Sequence, residues 1–337
     1  MNGLDDIAKA LIAPGKGLLA ADESLATIEK RFGAVNVAST DETRRSYREM
    51  LFTTPSLHRF ISGVILHEET LRQATAEGVP FPEWLAKQGI APGVKVDLGT
   101  KPLPRFPREQ ITHGLDTLGD RLTEYKQLGA QFTKWRAVIE ISEGLPTSFC
   151  IAANAQALAT YAAISQEAGL LPVVEPEVLM TGTHTIEHCY EVTAATLRSV
   201  FDALMDHRVA LEQLVLKPNM VAPGLNCPQQ PGPDEVARRT IHCLRRVVPA
   251  AVPGTFFLSG GQTPERATQH LHSINAMGRA PWELSFSFAR ALQEPALKAW
   301  KGEPAGIVAG QKALYHRAKC NCAARYAKYS QEMEKQA

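Results

Sequence analysis

Residues 214–224 read LVLKPNMVAPG. Three apolar residues lead to Lys217, and Pro218 and Asn219 then close the run. A short apolar run bounded by turn residues reads as a buried β-strand leaving its sheet. Lysine is rarely buried without a partner, so a strand that delivers Lys217 at its end needs neighbours able to hold or use a charge. Those neighbours must come from elsewhere in the chain.

Outward from this stretch, seven further β-like runs recur with helical sequence between them. They are GLLAAD (17–22), ISGVIL (61–66), GVKVDLG (93–99), FTKWRAV (132–138), PVVEPE (172–177), TFFLSGG (255–261) and LSFSFA (284–289). Helix candidates include DTLGDRLTEYKQLGA (116–130) and NAQALATYAAISQEAGL (154–170), the second with Asn154 as its expected N-cap and Gly169 near its C-cap. Strands alternating with helices predict βαβ units and a parallel sheet, and eight such units describe an α/β fold of the (β/α)8 or TIM-barrel type. A doubly wound open sheet is the alternative, because local pattern does not register closure. No linker divides the 337 residues, and NCPQQPGPDE (226–235) fits a surface loop. The expectation is a single domain over 1–337 with a charged tail from about residue 314.

A net charge of +1, with 21% charged and 45% hydrophobic residues, describes an ordinary globular protein and argues against nucleic acid as the main partner. No apolar run approaches the ~20 residues that span a bilayer, and MNGLDDIAKALIAPGK lacks the basic start and apolar core of a signal peptide. A cytoplasmic protein without a membrane partner is expected. The six cysteines, at 150, 189, 227, 243, 320 and 322, are scattered rather than framed for disulfides, which favours a reducing compartment. Cys320 and Cys322, one residue apart, do not match the paired-cysteine spacing of zinc sites.

Several strands carry polar residues two apart: Lys95 and Asp97, Lys134 and Arg136, Glu175 and Glu177. Such spacing points both side chains to one face. Asp22 and Lys217 also terminate apolar runs. Any one of these is most simply a solvated edge or a structural ion pair. Five at corresponding strand ends, where α/β folds build their sites, suggest one charged cluster whose opposite signs offset burial.

The chemistry open to such a cluster is specific. A lysine amine is protonated at its ordinary pKa of ~10.4. Beside Lys134 and Arg136 and out of water, Lys217 is expected to lose its proton more readily and attack a carbonyl, giving a Schiff base. Glu175 and Glu177 can serve as acid and base, and an ionised Asp22 can take a hydroxyl proton. For phosphate, LSGGQTPERA (258–267) sets Ser259, Gly260 and Gly261 between a strand and a helix, where backbone N–H groups can meet an anion. Arg290 follows the eighth run, and ADESLATIEKRF offers Ser24, Thr27 and Arg31 near another helix start. Anion-binding groups on both sides of Lys217 suggest a substrate with phosphate at both ends.

Other signals read as structural. His184 and His188 have helical i, i+4 spacing without a third metal ligand, the arginines of ETRRSYREM (42–50) form a solvated helix face, and Met220 fills core.

Taken in order, GKGLLAADES, GVKVDLG, KWRAVI, VVEPEV, LVLKPNMVAPG, FLSGGQ and FSFARALQEPALKAW resemble a class I fructose-1,6-bisphosphate aldolase over nearly the whole chain. The resemblance implies a (β/α)8 barrel that reversibly cleaves fructose 1,6-bisphosphate to dihydroxyacetone phosphate and glyceraldehyde 3-phosphate, in glycolysis and gluconeogenesis. It implies Lys217 as the Schiff-base lysine, Glu175 as the leading acid/base with Glu177 in support, and Asp22 as the base for the C4 hydroxyl. Lys134 would position substrate and lower the pKa of the amine. Arg136, Ser24, Thr27, Arg31 and Lys95 would serve one phosphate end, and Ser259, Gly260, Gly261 and Arg290 the other. The iminium replaces the metal of the unrelated class II enzymes, so neither metal nor cofactor is implied for the reaction, and a homotetramer is expected. Two departures stand out. The sequence ends EMEKQA, with Tyr329 as its last tyrosine, where familiar relatives carry a terminal tyrosine. Ala289 stands before Arg290 where those relatives usually have glycine. The competing readings are another Schiff-base lyase for a less phosphorylated sugar and a non-catalytic binding protein on the same scaffold. The paired anion-binding groups count against the first, and the retained lysine and carboxylates against the second.

Overall fold

The computed structural model describes residues 3–336. Eight strands form the barrel: β1 (Gly17–Ala21), β2 (Ile61–Leu66), β3 (Ala91–Lys95), β4 (Phe132–Ile139), β5 (Leu171–Val178), β6 (Val215–Leu216), β7 (Gly254–Phe257) and β8 (Glu283–Phe288). They pair in parallel and in sequence, and β8 closes on β1, with Leu18 opposite Ser287. Closure decides against the open doubly wound sheet.

Helices surround this barrel: α1 (Leu4–Leu11), α2 (Leu25–Gly33), α3 (Asp41–Phe52), α4 (Leu118–Gln127), α5 (Ser148–Glu167), α6 (Ile186–Asp206), α7 (Pro233–Val247), α8 (Pro264–Ala276), α9 (Arg290–Trp300) and α10 (Ile307–Arg325). Position 314 falls inside α10, where Leu314, Ala318 and Ala324 are buried. A small antiparallel hairpin, Thr100–Pro102 with Gln110–Thr112, follows β3.

The two-residue strand period divides the core. Outward side chains such as Val64, Trp135, Val174 and Leu216 pack beneath the helices. Inward ones, among them Leu18, Ile65, Phe132, Val173 and Phe256, form a second cluster with Ile7, Ala8 and Leu11 of α1. That helix closes the end at which the strands begin, with Ser62 Oγ donating to the Leu11 carbonyl at 2.6 Å. Phe132 fills the interior only because Gly93 leaves room. A Cβ at that position would stand 2.3 Å from the ring.

Local structure departs from the sequence expectations at three places. Asn154 is not an N-cap: α5 starts six residues earlier behind Thr147, whose hydroxyl accepts from the Cys150 amide at 3.1 Å. Buried Asn154 instead donates to the Gln110 carbonyl at 2.9 Å. His184 and His188 do not share a helix, because α6 begins after Thr185. The arginine-rich face of α3 is not uniformly solvated, since Arg48 turns inward and is buried.

Candidate active site

The β6 run explains its own ending. The Lys217 amide still bonds to the Val174 carbonyl at 2.8 Å, holding the residue in register with β5. Pro218 then has no N–H to continue the ladder, though its carbonyl accepts from Leu258 at 3.1 Å. Asn219 Oδ1 takes the Val178 amide at 3.1 Å and fastens the end of β5. Lys217 is thus fixed by backbone on both sides and projects inward.

Four buried charged groups meet above the apolar interior: Asp22, Lys134, Glu175 and Lys217. Lys217 Nζ lies 3.0 Å from Glu175 Oε1, and Lys134 Nζ lies 2.7 Å from Glu175 Oε2. Lys134 also donates to Asp22 Oδ2 at 2.9 Å. Only this last contact has hydrogen-bond geometry, so Glu175 is held between two cations by charge rather than by aligned donors. Burial pushes the Asp22 carboxyl upward, but Lys134, Lys217 and Lys95 outweigh it and hold the group well below the usual carboxylate range. Glu175 follows the same pattern: burial raises it, and Lys134, Lys217 and Arg136 bring it below its ordinary value. Lys134 is the converse case. Burial disfavours its charge, but Asp22, Glu175 and Asp97 prevail and raise its pKa.

The mouth is more open. Arg136 pairs with Glu177, its side chain 41% exposed. Lys95 pairs with Asp97 at 2.6 Å, and Asp97 also accepts from the Arg136 amide at 3.3 Å and the Gly99 amide at 3.1 Å. Ser24 caps α2, its Oγ 3.0 Å from Thr27 Oγ1, and both are exposed. Arg31 is turned toward Glu23 and keeps part of its surface in water. On the other side, Gly260 and Gly261 take positive φ angles of 57° and 89°, which favour glycine, behind buried Ser259. Arg290 lies against this turn, with its Nη2 2.9 Å from where a Gly261 Cβ would stand. Ala289 has a φ of −98°, outside the positive-φ region that favours glycine.

The chain matches the family model for fructose-bisphosphate aldolase class-I over residues 3–337. It belongs to that family. It is 54% identical over 319 residues to a probable fructose-bisphosphate aldolase class 1 of Xanthomonas campestris, covering 94% of this chain and 96% of the relative. It is 48% identical to the fructose-bisphosphate aldolase of Dictyostelium discoideum, covering 96% and 92%. A solved Plasmodium falciparum aldolase, crystallised with TRAP and a small-molecule inhibitor, superposes with a TM-score of 0.96 at 46% identity, covering 97% and 95%. The activity of the chain is that of a class I fructose-bisphosphate aldolase, a lyase.

Within this aldolase, some site-building residues escape a strand-by-strand reading. Glu23 follows Asp22 but faces away from the barrel interior. It pairs with Arg48 at 2.6 Å and accepts from Gln293 at 2.8 Å. Gln293 also donates to the Ala20 carbonyl at 2.6 Å, so the network fixes the end of β1 and with it Asp22. ADES shows an acidic neighbour, but neither Arg48 nor Gln293 lies near it in sequence.

Proposed function

We propose that Lys217 forms the Schiff base, with Glu175 and Asp22 moving the protons. The supporting observation is Glu175 set 3.0 Å from Lys217 and 2.7 Å from Lys134, with no aligned donor fixing its Oε2. Glu175 accepts a proton from Lys217, whose free amine attacks the C2 ketone of fructose 1,6-bisphosphate. The same proton then passes to the carbinolamine oxygen, which leaves as water and gives the iminium. Asp22, held ionised, takes the C4 hydroxyl proton as the C3–C4 bond breaks. The bond's electrons flow into the iminium to form an enamine, and glyceraldehyde 3-phosphate departs. Its depressed pKa makes Asp22 a weak base, so the iminium supplies the driving force. The enamine takes one proton at C3, balancing the one that Asp22 gained and gives up to reset the site. One water then hydrolyses the resulting iminium to dihydroxyacetone phosphate and protonated Lys217.

Lys134 positions the two carboxylates, and Glu177 fixes Arg136. Ser259, Gly260, Gly261 and Arg290 bind the dihydroxyacetone-side phosphate. Arg136, Lys95, Ser24, Thr27 and Arg31 serve the other phosphate, with Arg31 exchanging part of its contact with Glu23. A cytoplasmic homotetramer suits this reading. All six cysteines are free thiols, no described helix is long and apolar enough to cross a membrane, and an Arabidopsis thaliana relative is named cytosolic. Light scattering on the purified protein tests the tetramer. Borohydride trapping with fructose 1,6-bisphosphate and peptide mapping test the mechanism. A reduced adduct on Lys217 supports it, whereas unimpaired cleavage with peptide 214–224 unmodified refutes it.

A further inference from the structure

None of the six cysteines enters the proposed reaction, yet one of them meets two other donors. His316 and Cys320 lie one turn apart on α10. Beyond Arg325 the chain folds back, so that Glu334 in the 3₁₀ turn Gln331–Gln336 reaches them. His316 Nε2 is 3.4 Å from Glu334 Oε2 and 3.6 Å from Cys320 Sγ, and the three donor atoms all lie within 4.8 Å of one another. Cys320 is fully buried, while the His316 and Glu334 side chains are 13% and 21% exposed. A cation would therefore enter from the Glu334 side.

A tetrahedral zinc ion with bonds of ~2.0–2.3 Å sets its ligand atoms roughly 3.3–3.8 Å apart. Both distances from His316 fall in that interval. We infer that His316, Cys320 and Glu334 form a Zn2+ site on the helical layer, with its fourth position open to water. Imidazole, thiolate and carboxylate suit a borderline-soft ion, whereas magnesium and calcium take oxygen sets. Binding releases the Cys320 thiol proton, and the resulting thiolate and the Glu334 carboxylate balance the two positive charges.

The carboxylate is oriented from behind. Tyr329 donates to Glu334 Oε1 at 2.7 Å, and Arg317 donates to Oε2. Arg317 is itself held by Thr268 Oγ1 at 2.6 Å and the Pro264 carbonyl at 3.1 Å. Such outer partners orient ligating carboxylates. The Arg317 charge also opposes a cation at the shared oxygen, so the site binds more weakly than a closed cysteine and histidine set. A bound ion fastens the 331–336 segment to α10. Cys322 is not the partner of Cys320. The partners are a histidine four residues earlier and a glutamate brought back by the fold, an arrangement for which the one-residue cysteine spacing is silent.

The test is Co2+ titration of the full chain after reduction and chelator treatment. One bound equivalent with a thiolate-to-cobalt charge-transfer band, displaced by Zn2+, is expected. Cys320→Ser removes the band, and Glu334→Gln or His316→Gln weakens Co2+ binding at least ~10-fold. Cys322→Ser leaves both unchanged. Cys320 is buried and its variant can fail to fold, so the two part-exposed positions decide the matter in that case. A wild-type chain without the band overturns the site. So does a Co2+ affinity indifferent to both Glu334→Gln and His316→Gln.

Discussion

The two ends of the barrel interior use the same inward-facing strand positions for opposite purposes. Near the strand starts, Leu18, Phe132, Leu171, Val173 and Val215 exclude water together with α1. One or two alternations further on, Asp22, Lys134, Glu175 and Lys217 put four buried charged groups in contact. Apolar packing needs only shape and area, whereas each buried charge needs a partner. Stability should therefore be concentrated at one end and chemistry at the other, with Lys134 belonging to both.

Lys217→Met breaks the comparison most sharply. It removes the nucleophile but leaves Glu175 its contact with Lys134, so kcat/KM should fall by ~10⁴-fold or more, about 5.4 kcal/mol of barrier, with little change in melting temperature. Steady-state kinetics beside calorimetry checks both halves. A comparable loss of stability would mean that Lys217 is needed for the fold. Lys134→Met leaves Asp22 and Glu175 crowded with one cation fewer. Breaking a buried network in this way costs about 3–5 kcal/mol, and activity should fall with stability. Chemical denaturation reads the cost.

The apolar end should respond in the opposite sense. Phe132→Ala is expected to cost about 3–5 kcal/mol on unfolding while kcat per folded molecule stays close to wild type. Gly93→Ala alone forces a Cβ into the Phe132 ring and is destabilising. Combined with Phe132→Ala it occupies part of the vacated space, and a double-mutant cycle should give a favourable coupling of about 0.5–3 kcal/mol. Additive costs would show that the two positions do not share one packing unit.

The alternation of strands and helices was legible because a period of two and a period of 3.6 leave different marks on sequence. The inward charges were legible for the same reason: Lys134 with Arg136, and Glu175 with Glu177, fall two apart on strands that the structure contains. Strand ends were less so. β6 has two ladder residues, because Pro218 stops donation while Lys217 still bonds to Val174. Asn154 looked like a helix start because asparagine favours caps, but burial beside Gln110 gives its amide a tertiary partner instead. Glu23, Arg48 and Gln293 are separated by up to 270 residues, and only barrel closure brings the first and last strand-end segments together. Arg48 in particular has the helical spacing of a solvated arginine and is distinguished only by what lies opposite. Glu334 reaches His316 and Cys320 by a fold-back that no local pattern records.

The smallest expected effect concerns acid and base, where the two ends differ in kind. The inward side chains Leu18, Phe132, Leu171, Val173 and Val215 of the apolar end do not titrate, so the pH dependence of stability comes from charged positions such as those above them. Asp22, Glu23 and Glu175 have folded pKa values below their ordinary ones. Their contribution is fully present above the unfolded carboxylate values of ~4 and is lost as pH falls from there toward the folded values. Lys134 has a raised pKa, so its contribution is fully present below ~10.4 and is lost as pH rises through the folded value. Burial also lowers the pKa values of His67, His184 and His270, the last to about 4. Melting temperature should therefore be flat only above the ordinary histidine value of ~6.5, and fall on both sides of that flat range. In Lys134→Met the alkaline fall should shrink. The acid fall should become shallower as well, because Asp22 and Glu175 lose the cation that chiefly opposes their desolvation. Phe132→Ala should lower the whole curve without changing either slope. A Phe132→Ala curve with altered slopes would mean that the apolar end sets the geometry of the charges above it, and the separation of the two ends would fail.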